Sequence, residues 1–194
     1  MPLKLLQYRS MFILPIDSEL LIELPELRHG EALYDLVRAN ISRLQQWMPW
    51  AVDDYSIEHA REWIQRTLDS REKDGSFNAI ILLEGEIIGT IGYHDLNLSN
   101  KHTAIGYWID HRYEGKGIVT RSSRILIDYL FVEVRLNRIQ INCNVDNLRS
   151  RAVAERLGFT LEGIQREVEF LNGKFCDWAV YSLLRSEWKL PDAM

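Results

Sequence analysis

Between Arg112 and Gly117 the chain reads Arg-Tyr-Glu-Gly-Lys-Gly, and the residues that follow, IVTRSSRILIDYLF, place apolar side chains at helical spacing. A glycine-bearing loop that ends a strand and opens a helix can hold phosphate, because the first N–H groups of a helix lack intrahelical partners and carry partial positive charge. Gly115 and Gly117 would leave room for close approach, and Lys116 would add a point charge beside the phosphates. The spacing fits neither the longer Walker loop nor the three-glycine dinucleotide fingerprint. Taken alone, the segment reads equally well as a plain turn that starts a helix.

Other chemistries find less material. Two cysteines, Cys143 and Cys176, are too few for a disulfide framework and lack zinc-site spacing, and the five histidines are scattered, so no metal is expected. His111 beside the glycine loop reads as a surface turn. A formal net charge of -5 argues against a protein that coats nucleic acid. The N-terminal apolar clusters are broken by charges and prolines, so neither a signal peptide nor a membrane span is expected. A reducing cytoplasm is the simplest compartment.

The elements that must position the loop follow from periodicity. A strand is expected at 20–24, a helix at 28–41 through Leu33, Leu36, Val37 and Ile41, and a second helix from Ser56 as N-cap to near Gly75. Strands at 77–83, 87–96 and 103–109 form an antiparallel meander, its first turn at Glu84-Gly85. A helix at 118–132, a strand at 138–145 and a helix at 148–157 ending on Gly158 come next. Strands at 160–171 and 174–184 meet at Asn172-Gly173, a strong hairpin signal. At 194 residues, with no linker or repeat, one α/β domain over 1–194 is expected, its core at about 20–184.

This order, with Arg112-x-x-Gly115-x-Gly117 after IGYWID and with NLRSRAVAERLGF after the strand at 138–145, resembles the GNAT superfamily of acetyl-coenzyme A-dependent N-acetyltransferases. The resemblance implies a mixed, mostly antiparallel sheet flanked by helices, with two central strands, 103–109 and 138–145, splayed apart. Acetyl-CoA is then the donor, its pyrophosphate on the loop at Arg112, Gly115, Lys116, Gly117 and Ile118 and its pantetheine between the strands. Backbone N–H groups around Trp108 and Ile109 would stabilise the oxyanion, and Asn147 would cap the following helix, bind pantetheine, or both.

Many members carry a tyrosine in that helix as acid for the departing thiolate; the matching position here is Ala154. That replacement, together with Tyr107-Trp108, the WMPW segment and GFTLEG, resembles the RimJ/RimL branch, which acetylates N-terminal amines of ribosomal proteins. The branch implies Ser150 as the acid and Glu169 as the group that assists amine deprotonation, with Glu162 and Glu167 as rivals. Ser150 could equally serve its helix terminus, and Glu169 could be a solvent-facing strand carboxylate. Trp47, Met48 and Trp50 read equally as core or as the wall of the acceptor pocket, and Tyr107 is expected at that pocket.

The expected activity is direct acetyl transfer to a primary amine, foremost a protein N-terminus. A polyamine or aminoglycoside is the second acceptor class, and a non-catalytic acetyl-CoA sensor is the reading outside enzymology. A homodimer is the prior for such an enzyme.

Overall fold

The computed structural model describes residues 12–73 and 76–189. Its strands are β1 (Ile13–Pro15), β2 (Leu20–Glu23), β3 (Phe77–Leu83), β4 (Glu86–Asn97), β5 (His102–Ile109), β6 (Arg138–Asn144), β7 (Thr160–Leu171) and β8 (Lys174–Leu184). The helices are α1 (Gly30–Leu44), α2 (Ile57–Lys73), α3 (Ile118–Val132) and α4 (Leu148–Arg156). All eight strands join one sheet in the order β1-β2-β3-β4-β5-β6-β8-β7. Only β5 and β6 run parallel; every other neighbour is antiparallel.

Strand alternation sends side chains to two separate layers. Ala79 and Ile81 of β3 face a core shared with Leu126, Ile127 and Phe131 of α3, with Val153 of α4 and with Leu157 just past it. Ile80 and Leu82 face the opposite layer, where Leu33, Leu36 and Val37 of α1 meet Ala60 and Ile64 of α2. The helix expected at 28–41 begins with a 3-10 turn, Leu27–His29, and runs on to Leu44, which is buried. Ser56 does precede α2, but its hydroxyl meets the Glu58 carboxylate and the His59 ring rather than a backbone N–H. The expected end of that helix near Gly75 lies outside the described residues. Strand β1 was not expected: three residues carry too short a pattern to show periodicity.

Both hairpin turns need left-handed backbone. Glu84-Gly85 takes φ of 50° and 82°, and Asn172-Gly173 takes 52° and 78°, the paired positive φ of a tight turn matched to strand twist.

A third glycine matters for space rather than dihedral. A Cβ on Gly89 of β4 would lie 2.3 Å from the Trp108 carbonyl oxygen and 2.9 Å from the Ile109 Cα. Both are backbone atoms of β5, so nothing flexible can yield. Gly89→Ala is expected to cost about 3 kcal/mol, a fall of roughly 10 °C in Tm for a chain of this size. A thermal melt within two or three degrees of wild type would show that β4 and β5 can part locally.

Candidate active site

The site begins where the parallel pair ends. β5 and β6 are in register only at His102 with Arg138, Thr103 with Ile139 and Ala104 with Gln140. Their outer edges stay paired, β5 with β4 and β6 with β8, so past Ala104 and Gln140 the two inner edges diverge without a partner strand. Such edges leave N–H and C=O groups free for an extended ligand. The Asp110 N–H donates to the Ile88 carbonyl of β4 at 2.8 Å. Alternation therefore turns the Trp108 N–H toward β4 as well, and the N–H groups of Tyr107 and Ile109 toward the gap. Of the two donors expected around the oxyanion, Ile109 faces the opening and Trp108 does not. Trp108 lines the cavity, and its side chain belongs to the α1–α2 layer. The gap opens into a cavity of about 920 Å³.

At the C-terminal end of β5 a 3-10 turn, His111–Tyr113, leads into the glycine loop. Asp110 is fully buried and accepts from the Arg112 N–H at 3.0 Å and from Arg112 Nε at 2.7 Å. Burial is the largest influence on the Asp110 carboxyl and raises its pKa, but the bonds from Arg112 and Asn40 together hold it below the usual range. The Arg112 guanidinium also reaches Glu86 at 3.1 Å and is not on the cavity wall. Arg112, expected among the cofactor contacts, is paired with two carboxylates at the entry of the loop. Asn40 of α1 ties the same corner down, accepting from the His111 N–H at 3.1 Å.

Gly115 and Gly117 have φ of 74° and 72°, and a Cβ on either would meet nothing within 4 Å. Here glycine is required by left-handed backbone, not by crowding within the chain itself. Gly117 precedes α3 without a side-chain cap, so the first N–H groups of that helix are not taken by one. Lys116 lines the cavity, its Nζ 4.9 Å from the centroid of the Tyr113 ring, and Ile118 is buried at the start of α3. Glu114 pairs with Arg149 of α4 and, at 3.8 Å, with Arg43 of α1, so the loop is braced on both layers. None of these braces was legible in sequence. Free strand edges, an uncapped helix start and a lysine suit a long ligand that carries amides at one end and phosphates at the other.

Across the gap stands α4. Asn147 is its N-cap, with Oδ1 accepting the Ser150 N–H at 3.1 Å. That bond relieves the Ser150 side chain of any capping duty. The Ser150 hydroxyl lies 3.1 Å from the Tyr107 hydroxyl, which is also 3.3 Å from the Ser150 carbonyl. It further bonds the Cys143 thiol, whose pKa burial pushes up and this bond lowers in part. Tyr107 was expected in the acceptor pocket. Neighbouring Trp108 faces α1 and α2, so alternation sends Tyr107 to the α3–α4 side, where its hydroxyl meets α4. Ala154 is wholly buried in the same core and off the cavity wall.

The other half of the cavity is walled by Trp47, Met48, Trp178 and Glu169. Glu169 accepts from Trp178 Nε1 at 3.1 Å. Its placement depends on a bulge: Gln165 pairs with Trp178 and Glu169 with Cys176, so three residues of β7 oppose Asp177 alone. At the centre of the bulge Glu167 takes φ of 52° and its N–H donates to Asp177 Oδ1 at 2.8 Å. Glu167 is exposed and off the wall. Glu162 is held by Arg138 at 2.6 and 2.5 Å and by Ser182 at 2.8 Å, which depress its pKa to about 2, too low for a useful base. Trp50, also expected on the acceptor wall, does not line this cavity: it follows the turn over 48–51, is 43 % exposed, and its ring centre lies 6.1 Å from that of Tyr55 and 6.3 Å from that of Trp108. The hairpin tip closes over this half, with Asn172 Nδ2 donating to the Gln45 carbonyl at 2.9 Å. Among the described residues no three His, Cys, Asp or Glu side chains gather into a metal site.

A splayed parallel pair facing a glycine loop at a helix start defines an acyl-carrier cleft, and the pattern of the acetyltransferase (GNAT) domain matches residues 19–160. The chain belongs to the GNAT family and is an acetyl-CoA-dependent N-acetyltransferase. Within the family its likeness runs to the RimL type. The chain is 39% identical over 182 residues to YdaF of Bacillus subtilis (strain 168), covering 92% of this chain and 98% of that one. It is 34% identical over 154 residues to the ribosomal-protein-serine acetyltransferase of Escherichia coli (strain K12), with 79% and 86% covered. The solved structure of RimL, the ribosomal L7/L12 alpha-N-protein acetyltransferase, in complex with coenzyme A superposes with a TM-score of 0.85 at 31% identity, covering 89% of this chain and 97% of that one.

Proposed function

We propose that this enzyme acetylates the N-terminal α-amine of a protein, with a ribosomal protein as the acceptor class. The observation that carries this reading is the charge on the cavity wall. Among the described residues its carboxylates are Glu114 and Glu169, and Glu114 is already shared by Arg43 and Arg149. A polyamine or aminoglycoside would bring several ammonium groups to one free carboxylate, whereas a peptide N-terminus brings one charge. The relatives that act on ribosomal proteins support the same acceptor.

In this reading Trp47, Met48 and Trp178 confine the acceptor, and Glu169 takes a proton from its ammonium through water. The freed amine forms the new C–N bond, the Ile109 N–H steadies the oxyanion, and the C–S bond then breaks. Ser150 gives its proton to the departing sulfur and recovers one from the nitrogen as the amide forms. The first turn of α3, Lys116 and the backbone of the glycine loop hold the diphosphate of the donor, and Asn147 lies beside the pantetheine path.

Thiol release from acetyl-CoA, followed with hexapeptides bearing a free N-terminal Ser or Ala and with spermidine and kanamycin, tests the reading. Peptide turnover well above that of the polycations is expected. Transfer to spermidine or kanamycin alone sinks it, and tight acetyl-CoA binding without transfer to any acceptor favours the sensor.

The same proposal makes the chain one acetyltransferase domain, cytoplasmic, and a homodimer that contacts neither nucleic acid nor membrane. Among the described residues no helix is long and apolar enough to cross a membrane. The β7–β8 hairpin exposes Leu161, Ile164, Val168, Phe170 and Phe175, an apolar strip suited to a second copy. A monomeric mass by light scattering at micromolar concentration would remove the dimer.

A further inference from the structure

The tyrosine that many family members place on α4 is absent here, yet a tyrosine hydroxyl does reach the proposed acid. We infer that Tyr107 is a positioning residue for Ser150: its phenol donates to the Ser150 hydroxyl and so aims the proton of Ser150 into the cleft, where the sulfur of the donor departs.

A serine hydroxyl has one proton and rotates freely unless its neighbours fix it. Around Ser150 the described neighbours are few. The Tyr107 hydroxyl is at 3.1 Å, and the Cys143 thiol is a weak donor and weak acceptor. The serine's own N–H is occupied by Asn147 and contributes nothing to the rotor. If Ser150 donated to Tyr107, its proton would point away from the cleft. If Tyr107 donates to Ser150, a lone pair of Oγ is filled and the serine proton is released toward the cavity.

Tyr107 is suited to the second arrangement. Burial pushes its phenol well above the ordinary range, with the bond to Ser150 opposing, so it stays protonated at every working pH and remains a donor. Its proton has two acceptors on the same residue, the Ser150 carbonyl at 3.3 Å and Oγ at 3.1 Å. A small rotation about the phenolic C–O bond switches between them without moving a heavy atom. No proton need leave Tyr107 during turnover: it orients the acid and does not replace it. The fold supplies the phenol from β5, where alternation places residue 107 opposite α4. This answers the loss at Ala154 from the other wall of the cleft.

The inference rests on Ser150 acting as the acid, and a double-mutant cycle separates the two claims. Turnover of acetyl-CoA with an N-terminal Ser hexapeptide is measured by thiol release for wild type, Tyr107→Phe, Ser150→Ala and the double variant, and the Kd for acetyl-CoA by calorimetry. Tyr107→Phe is expected to lower kcat about tenfold, the worth of one hydrogen bond in a buried network. The Kd for acetyl-CoA and the KM for peptide should stay within about twofold of wild type, since only orientation is lost. In the Ser150→Ala background the same change should cost nothing further, because residues that act as one unit are not additive. Equal losses in both backgrounds, or a loss confined to KM or Kd, would overturn the inference and leave Ser150 untouched. If Ser150→Ala itself turns over normally, the acid assignment falls and Tyr107 falls with it. Phe fills the space of the tyrosine ring, and a melting temperature near wild type checks that the variant folds. If it does not fold, Tyr107→His, which keeps a ring donor, is put through the same cycle, where additivity with Ser150→Ala again overturns the inference. If only spermidine is acetylated, the cycle is run on spermidine with the same criteria.

Discussion

Glu169→Gln is expected to lower kcat/KM for the amine acceptor about a hundredfold at neutral pH, within the usual range for loss of a positioned base. The amide keeps the size of the side chain and can still accept from Trp178 Nε1, so the wall is preserved while the proton acceptor is lost. The sign with pH follows from the acceptor. A protein N-terminus titrates at about 8, so below that value the ammonium must lose a proton inside the site, and above it the amine arrives already neutral. The deficit should therefore be largest near pH 6 and shrink above pH 8, moving the rising limb of the rate profile to higher pH. The test is kcat/KM from pH 6 to 10. A profile lowered by one factor throughout would show that Glu169 shapes the pocket and does not take the proton. Glu162→Gln gives the contrast: it removes the charge that pairs with Arg138 and one of two acceptor oxygens, and should affect thermal stability more than the pH profile.

The second large effect belongs to Ser150. Ser150→Ala is expected to lower kcat by between about thirtyfold and a hundredfold, with acetyl-CoA affinity nearly intact. The Ser150 side chain bonds Tyr107 and Cys143, while the phosphate loop rests on Asp110, Arg112 and Glu114. The two sets share no residue, so binding and bond breaking should separate. Because Asn147 caps α4 through the Ser150 backbone, alanine leaves the cap in place. Equilibrium binding of acetyl-CoA and single-turnover thiol release, measured on one preparation, would show the split. A parallel loss of both means that Ser150 orders α4 and has no part in the chemistry.

Much of the fold could be read along the chain, and much of the site could not. Phe77–Leu83, Ile118–Val132 and the hairpin strands Thr160–Leu171 and Lys174–Leu184 stand where periodicity and turn residues put them, because both are local properties. Strand order is not local: β8 inserts between β6 and β7, and no pattern within β8 says so. The choice among three glutamates is the sharper case. In an unbroken β7, Glu167 would stand opposite Cys176; the bulge moves Glu169 into that position. Its cause is a left-handed Glu167 caught by Asp177 of β8, a contact between strands that alternation cannot anticipate. Arg112 shows the same limit, since its bond to Glu86 joins separate elements and leaves no local pattern. Composition marks the aromatic cluster at 47–50 without saying that Trp50 is the ring left exposed.

The short register between β5 and β6 bears on how such enzymes diverge. Three residue pairs join these strands, and beyond them the cleft offers peptide groups, which every sequence possesses. The proposed acceptor half of the cavity is lined by side chains such as Trp47, Met48, Trp178 and Glu169, which point mutation can exchange. Descent can therefore rewrite one half of the cleft while the other is conserved by geometry alone. A lineage of this fold is free to change what it acetylates long before it can change what it acetylates with.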